Sequence, residues 1–74
     1  MATETIRSEI TGSVWKIEAK VGDQLAPEAI LMVLESMKME IPVMTNDGGR
    51  LVKLLVAEGD AVKDGQEVAV VETP

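Results

Sequence analysis

The chain has 74 residues, and its 13 Asp and Glu against 7 Lys and Arg give a formal net charge of -6. Because so short a chain buries only a thin core, we expect residues 1–74 to form a single domain that acts as a module, not as a self-contained enzyme. The absence of Cys and His excludes a thiolate nucleophile, an imidazole base, a disulfide and an ordinary zinc site.

Composition also limits the partners. An acidic surface with one aromatic residue, Trp15, is unsuited to nucleic acid. We expect no membrane association, because no apolar run approaches the length of a membrane span and the segment from Met1 to Glu4 lacks the pattern of a secretion signal. The sequence therefore predicts a soluble cytoplasmic module that is monomeric in isolation.

Short apolar runs between turn residues predict an all-β fold. Hydrophobic residues make up 46% of the chain, which suits a globular core, and the frequent Val and Ile favour strands. No run keeps a helical period over twelve residues. In chain order the predicted strands cover 14–19, 30–34, 51–57 and 68–71. The second run also fits a short helix, but its length and its flanks, Pro27 and Ser36, favour a strand.

The sequence matches itself when it is shifted by 37 residues. Apolar positions fall on apolar positions, and six pairs are identical: Gly12/Gly49, Lys16/Lys53, Gly22/Gly59, Asp23/Asp60, Val33/Val70 and Glu35/Glu72. Agreement of glycines, turns and strands at one offset indicates an internal repeat. Because one half cannot bury both faces of its own sheet, the halves should pack around a pseudo-two-fold axis as a flattened β-barrel or sandwich.

Glycine-rich segments are interpreted as turns. Gly22-Asp23 and Gly59-Asp60 should form equivalent turns, because Gly accepts a positive φ and Asp bonds its own backbone. The run 46–49, Asn-Asp-Gly-Gly, is predicted to be a loop that links the two halves. It lacks the residues and the following helix of a phosphate-binding loop.

The two halves diverge at residues 36–40, Ser-Met-Lys-Met-Glu. In a two-fold arrangement this segment is a hairpin at one end of the molecule, with Lys38 at its tip and the chain ends near the opposite end. Met-Lys lacks the Gly or Asn that a tight hairpin prefers, which indicates selection for something other than turn stability. The spacing leaves open whether Met37 and Met39 face the core or the solvent.

Residues 35–40, Glu-Ser-Met-Lys-Met-Glu, resemble the biotin attachment motif of biotinyl domains, the carrier domains of biotin-dependent carboxylases and transcarboxylases. The family pattern is Glu-Ala-Met-Lys-Met, with Ser an accepted variant of Ala. The resemblance extends from Gly12 to Glu72. It implies a flattened β-barrel of two four-stranded antiparallel sheets, of the short type without a protruding thumb.

The resemblance also implies a role for each motif residue. Lys38 would carry biotin through an amide on its side-chain nitrogen, Met37 and Met39 match the flanking methionines, and Glu35 and Ser36 match the first two motif positions. A biotin protein ligase would supply the base, because a lysine amine in water is almost fully protonated near neutral pH. The biotinylated domain would move carboxyl groups between a biotin carboxylase and a carboxyltransferase without itself catalysing a reaction.

Two departures from the family leave details open. Pro27-Glu28 stands where the second half has Asp64-Gly65, so the type of this turn is undetermined. The segment before Gly12 lacks the Pro-containing approach of many relatives, so the start of the first strand is undetermined.

Two alternative functions remain. Lipoyl domains share the fold and carry an acyl group on a hairpin lysine, but that lysine usually follows Asp and precedes Ala. An unmodified β-barrel interaction module would need the Met-Lys-Met sequence to be accidental.

Overall fold

The computed structural model describes residues 2–73, which form eight strands in two antiparallel sheets. In chain order the strands are β1 (Ala2–Arg7), β2 (Gly12–Ile17), β3 (Gln24–Leu25), β4 (Ile30–Ser36), β5 (Met39–Met44), β6 (Gly49–Leu54), β7 (Ala61–Val62) and β8 (Glu67–Thr73). One sheet has the order β1-β8-β6-β3 and the other β5-β4-β2-β7. The predicted all-β fold of two four-stranded sheets is confirmed. Within residues 2–73 no helix is long and apolar enough to cross a membrane.

The strands repeat at the offset found in the sequence. Each of β5 to β8 has the bounds of β1 to β4 shifted by 37 residues. The repeat includes the irregularities, because β2 and β6 carry equivalent bulges at Trp15 and Val52, where the pairing register shifts. The predicted internal repeat is confirmed.

The prediction that residues 46–49 link the two halves was wrong. The halves are residues 2–36 and 39–73, so the link is Met37-Lys38, and the glycine-rich loop joins β5 to β6 within the second half. The cause is β1, which precedes the first strand that the sequence predicted. Its only buried hydrophobic residue is Ile6, so its pattern is weak, and it forms a strand by pairing with β8 along its whole length.

The two Gly-Asp turns are equivalent, as predicted. Gly22 and Gly59 have φ values of 98° and 91°. In each turn the Asp N–H donates to the carbonyl three residues earlier, at 3.0 and 3.1 Å. The Asp carboxylate in turn accepts from the N–H of that earlier residue at 2.9 Å. Each short strand β3 and β7 therefore starts from the same closed turn.

The turn at Pro27-Glu28 also survives. The Ala29 N–H donates to the Ala26 carbonyl at 3.1 Å, and Glu28 has a φ of 63°, close to the 87° of its repeat partner Gly65. Proline in the second place and a positive φ in the third define a type II turn. The turn type is thus conserved between the halves, although the second half fills the left-handed position with glycine.

The core lies between the two sheets, and its side chains are aliphatic except for the thioether of Met32. The interior strands β4 and β8 supply half of it. Its buried residues are Ile6, Val14, Ala19, Leu31, Met32, Leu34, Val43, Leu51, Val62, Val68, Ala69 and Val71. Side chains from both sheets interdigitate here, which fixes the sheets against each other.

The β4–β5 hairpin and the ends of the described chain lie at opposite ends of the strands. Ser36 pairs with Met39 beside the hairpin turn. Ala2 pairs with Thr73, close to the β5–β6 loop, where Gly49 approaches the carbonyl of Glu72. The repeat therefore places one strand crossing, a point where the end of a strand of one half pairs with a strand of the other half, at each end of the molecule.

Leu51→Ala should lower the free energy of unfolding by about 2–5 kcal/mol, because it removes a fully buried side chain and leaves a cavity. Urea denaturation followed by circular dichroism measures the change. Leu55→Ala is the matched control, since Leu55 is 44% exposed and its loss should cost less than about 1 kcal/mol. Equal losses for the two variants would contradict the assignment of the core.

Candidate functional site

The β4–β5 hairpin closes with a two-residue turn. Ser36 pairs with Met39, and Glu35 with Glu40, so only Met37 and Lys38 lie between the strands. Their φ values are 52° and 67°. Two central residues with positive φ define a type I′ turn, whose twist matches that of the strands on either side.

Met37 and Lys38 are residue types that disfavour the backbone conformation of this turn. A left-handed conformation costs about 1–2 kcal/mol for a residue other than Gly, and type I′ turns strongly prefer Asn-Gly. Met37 and Lys38 are held in it by the continuous pairing of β4 with β5. Backbone strain of this kind persists only where the surrounding structure determines it, and it is concentrated at functional sites.

Hydrogen bonds fasten the base of the hairpin to two neighbouring loops. The Ser36 hydroxyl donates to the Thr11 carbonyl at 2.9 Å. The Thr11 hydroxyl accepts from the Asp64 N–H at 3.1 Å. Thr11 thus joins the hairpin to the turn between β7 and β8, a function that sequence reasoning missed because these residues are distant in the chain.

Gly12 allows β2 to start directly beneath the hairpin. A Cβ atom at this position would collide with the carbonyl oxygen of Glu35 and crowd the Cβ of Ser36. Its repeat partner Gly49 makes the equivalent close approach to the carbonyl of Glu72. The identity of these two glycines in the repeat was therefore a usable signal for close backbone packing at both strand crossings.

The side chains at the tip face the solvent. Met37 is 92% exposed and Met39 61% exposed, and Lys38 between them is exposed as well. The open question of whether the two methionines contact the core is thus settled, since Met32 is the only methionine of this hairpin that is buried. A partner that approaches Lys38 meets the two thioether side chains at the same time.

Two carboxylates lie below the tip. Glu35 and Glu40 are directly opposite each other on the hairpin, and both are exposed. Like charges in this arrangement are mutually unfavourable. Within residues 2–73 no carboxylate oxygen lies within ion-pair distance of the Lys38 ammonium group. The tip therefore presents an unpaired cation above a pair of anions.

The tip is separate from the cleft of the domain. A cleft of about 340 Å³ opens between the edge strands β1 and β5, and its lining includes Glu4, Ile41 and Asn46 but no residue of the turn. Met37, Lys38 and Met39 are instead exposed to solvent at the tip of the hairpin.

Comparison with protein families identifies the fold and its motif. A family model described as "Biotin-requiring enzyme", which represents the biotin/lipoyl attachment domain, matches residues 1–73. The chain belongs to this family. Lys38 fits the attachment of a prosthetic group because its side chain is exposed at the tip of the hairpin.

Two relatives of this biotin/lipoyl domain match it over most of their own length. The chain is 41% identical to the "Biotinylated protein TB7.3 homolog" of Mycobacterium leprae over 92% of its own length and 96% of that protein. It is 38% identical to the "Biotin/lipoyl attachment protein" of Bacillus subtilis, over 82% of the chain and 84% of that protein.

A solved structure extends the comparison to a carboxylase. The domain superposes on part of the urea carboxylase of Kluyveromyces lactis with a TM-score of 0.91 and 36% identity. The match covers 97% of this chain but only 6% of the carboxylase. The same domain thus occurs as most of a short protein and as a small part of a multidomain enzyme.

The structure brings all five predicted site residues into one hairpin. Lys38 and Met37 form the turn, Met39 begins β5, and Ser36 and Glu35 end β4. Ser36 is a brace for the hairpin base, a structural role that the motif alone did not reveal. The roles of these residues in biotin attachment stay predictions.

Met37→Asn should raise the free energy of unfolding by about 0.5–1 kcal/mol, because Asn tolerates the left-handed conformation better than Met. Met39→Asn, on the ordinary strand β5, should lower it by about 0.5 kcal/mol. Thermal unfolding of the two variants measures the difference. Destabilisation by Met37→Asn equal to that of Met39→Asn would show that the turn carries no conformational cost.

Proposed function

We propose that this domain is a biotin carboxyl carrier that receives biotin on Lys38. The observation that carries the proposal is the presentation of Lys38 at the apex of a left-handed turn, between two exposed methionines. The motif resemblance, the biotinylated relative from Mycobacterium leprae and the match to a urea carboxylase support it.

Attachment would take place in the active site of a biotin protein ligase. The ligase would first join the carboxyl group of biotin to AMP, using ATP and releasing pyrophosphate. The Lys38 side-chain nitrogen would then attack the carboxyl carbon, the bond to AMP would break so that AMP leaves, and the ligase base would take the proton from the amine. This domain contributes position. Its turn holds the amine away from the sheets, and the Ser36–Thr11 hydrogen bond holds the base of the hairpin.

The proposed carrier role is supported by the paired strands on either side of Lys38. Attached biotin supplies the group-transfer chemistry by carrying a carboxyl group between two enzyme sites. A tether raises the local concentration at each site only if its geometry allows the arm to reach both. Paired strands fix the start of the arm on both sides of Lys38, so the flexible part is confined to the lysine and the group attached to it.

The flanking residues favour biotin over a lipoyl group. Met37 and Met39 occupy both neighbouring positions, where lipoyl domains usually have Asp and Ala. The family model includes both kinds of domain, so the identity of the group rests on this motif. Intact mass spectrometry after production with each ligase distinguishes a biotinyl from a lipoyl group.

The partners of the domain would be the ligase, a biotin carboxylase and a carboxyltransferase. Exposed Glu35 and Glu40 beneath the tip would favour partner surfaces with basic residues at the rim, since opposite charges steer association. Carboxylation and transfer are reactions of those partners, and the domain itself is a carrier. Its cytoplasmic location and monomeric state stay predictions.

Lys38→Arg should abolish biotin incorporation and leave the fold intact, because Arg keeps the charge but offers no amine for acylation. The variant is incubated with biotin protein ligase, ATP and biotin, and its intact mass is measured. Lys53→Arg is the control, since Lys53 is also exposed but lies on strand β6, and it should gain one biotinyl group. A biotinyl mass on the Lys38 variant would refute the assignment.

Met37→Leu and Met39→Leu should each accept biotin but slow its carboxylation roughly twofold to tenfold. Leucine keeps the apolar surface and loses the flexible, polarisable sulfur that adapts to a partner. The rate of ATP-dependent carboxylation by a biotin carboxylase measures the effect on the biotinylated domains. Met44→Leu, distant from the tip on β5, should carboxylate at the wild-type rate. Unchanged rates for both tip variants would count against contact of these methionines with the carboxylase.

A further inference from the structure

The methionines of this domain differ widely in exposure. Met37 and Met39, on either side of Lys38, are 92% and 61% exposed, whereas Met44 is 45% exposed and Met32 is fully buried. A thioether reacts with peroxides when the oxidant can reach its sulfur. The two most exposed of these four methionines therefore flank the lysine that the proposed function modifies.

We propose that Met37 and Met39 form a peroxide-sensitive modification site that switches off the carrier. The sulfur of each thioether attacks one oxygen of hydrogen peroxide, the O–O bond breaks, and the product is a methionine sulfoxide and one molecule of water. Sulfur loses two electrons and the peroxide gains them, so no further reactant is needed. Methionine sulfoxide reductases reverse this modification.

The fold tolerates the modification because the tip does not contribute to the core. Met37 and Met39 project into solvent, so an added oxygen on either sulfur displaces no buried atom. Oxidation of Met32 would instead place a polar S=O group in the centre of the sheet packing. Its burial protects it, so oxidation is directed to the tip of the hairpin.

The consequence for function rests on the proposed carrier role. A carboxylase that closes over the group on Lys38 must also cover residues 37 and 39, which occupy the adjacent turn and strand positions. A thioether loses little when it leaves water, whereas a sulfoxide oxygen is a strong acceptor that needs a donor inside the interface. Oxidation should therefore reduce productive association roughly tenfold.

The experiment applies hydrogen peroxide before biotin is attached, so that the sulfur atom of biotin itself is not exposed to the oxidant. Catalase removes the peroxide, and peptide mass spectrometry gives the extent of oxidation at each methionine. The domain is then incubated with ligase, ATP and biotin, and the rate of carboxylation by a biotin carboxylase is measured. Each rate is divided by that of the same untreated variant.

Two variants serve as controls. The double variant Met37→Leu/Met39→Leu lacks both oxidisable side chains at the tip, so its normalised rate should not change on treatment. Met44→Leu keeps the tip and should lose activity as the wild-type domain does. Treatment of the oxidised wild-type domain with methionine sulfoxide reductases and a dithiol reductant, which is oxidised to a disulfide while the sulfoxide oxygen leaves as water, should restore its rate.

We expect Met37 and Met39 to oxidise at least about tenfold faster than Met32. In the oxidised domain, the rate of biotin attachment or of carboxylation should be roughly tenfold lower than in the untreated domain. Oxidation of Met32 at the same rate would overturn the inference, as would an oxidised domain that is biotinylated and carboxylated at the untreated rate. If the untreated domain accepts no biotin, the proposed function is refuted, and the switch is refuted with it. If the untreated domain accepts biotin and the oxidised domain behaves identically, only the switch is refuted.

Discussion

The left-handed backbone at Met37 and Lys38 is the constraint on which the geometry of the hairpin depends. It costs about 1–2 kcal/mol per residue, a substantial fraction of the stability of a domain this small. The core holds it in place. Leu34 is buried and pairs with Ile41 two positions below the Ser36–Met39 pair, so a slip of one residue in the hairpin would turn an apolar side chain outward. Burial of aliphatic residues between the sheets therefore determines, through the strand register, where the lysine amine is presented.

The internal duplication gives the two ends of the sheets equivalent strand pairings. The pairing of Ser36 with Met39 has its repeat equivalent in the pairing of Thr73 with Ala2. One crossing is closed by the two-residue turn, whereas the other brings the ends of the described chain together. The two halves thus have the same strands and closely similar turns but different functions: the second half supports the first, as seen in the hydrogen bond from the Asp64 N–H to Thr11 at the hairpin base.

Features that depend on local chemistry could be predicted from the sequence, and features that depend on tertiary partners could not. The Gly-Asp turns and the strand predicted at residues 30–34, which is part of β4, follow from residue preferences within a few positions. The first strand, β1, was missed because it has a single buried hydrophobic residue, Ile6, and exists through its pairing with β8. The hydrogen bond between Ser36 and Thr11 was missed for the same reason, since the two residues are 25 positions apart. The motif was enough to single out Lys38 as the candidate attachment site. That both neighbouring methionine side chains face the solvent is seen only in the structure.

Exposure alone does not distinguish the lysine that the proposed ligase would modify. All five lysines of the chain are exposed. Lys16 and Lys53 lie on strands beside the bulges, so the sheet surface limits approach from one side. Lys20 and Lys63 each occupy the first position of a turn. The backbone carbonyl of each lysine accepts a hydrogen bond from the N–H three residues later. Lys38 alone among these has a left-handed φ and lies in a turn between two paired strands. Because all five carry the same amine, a ligase that modifies one of them must recognise its surroundings, and at Lys38 these are the strained turn and the two exposed methionines.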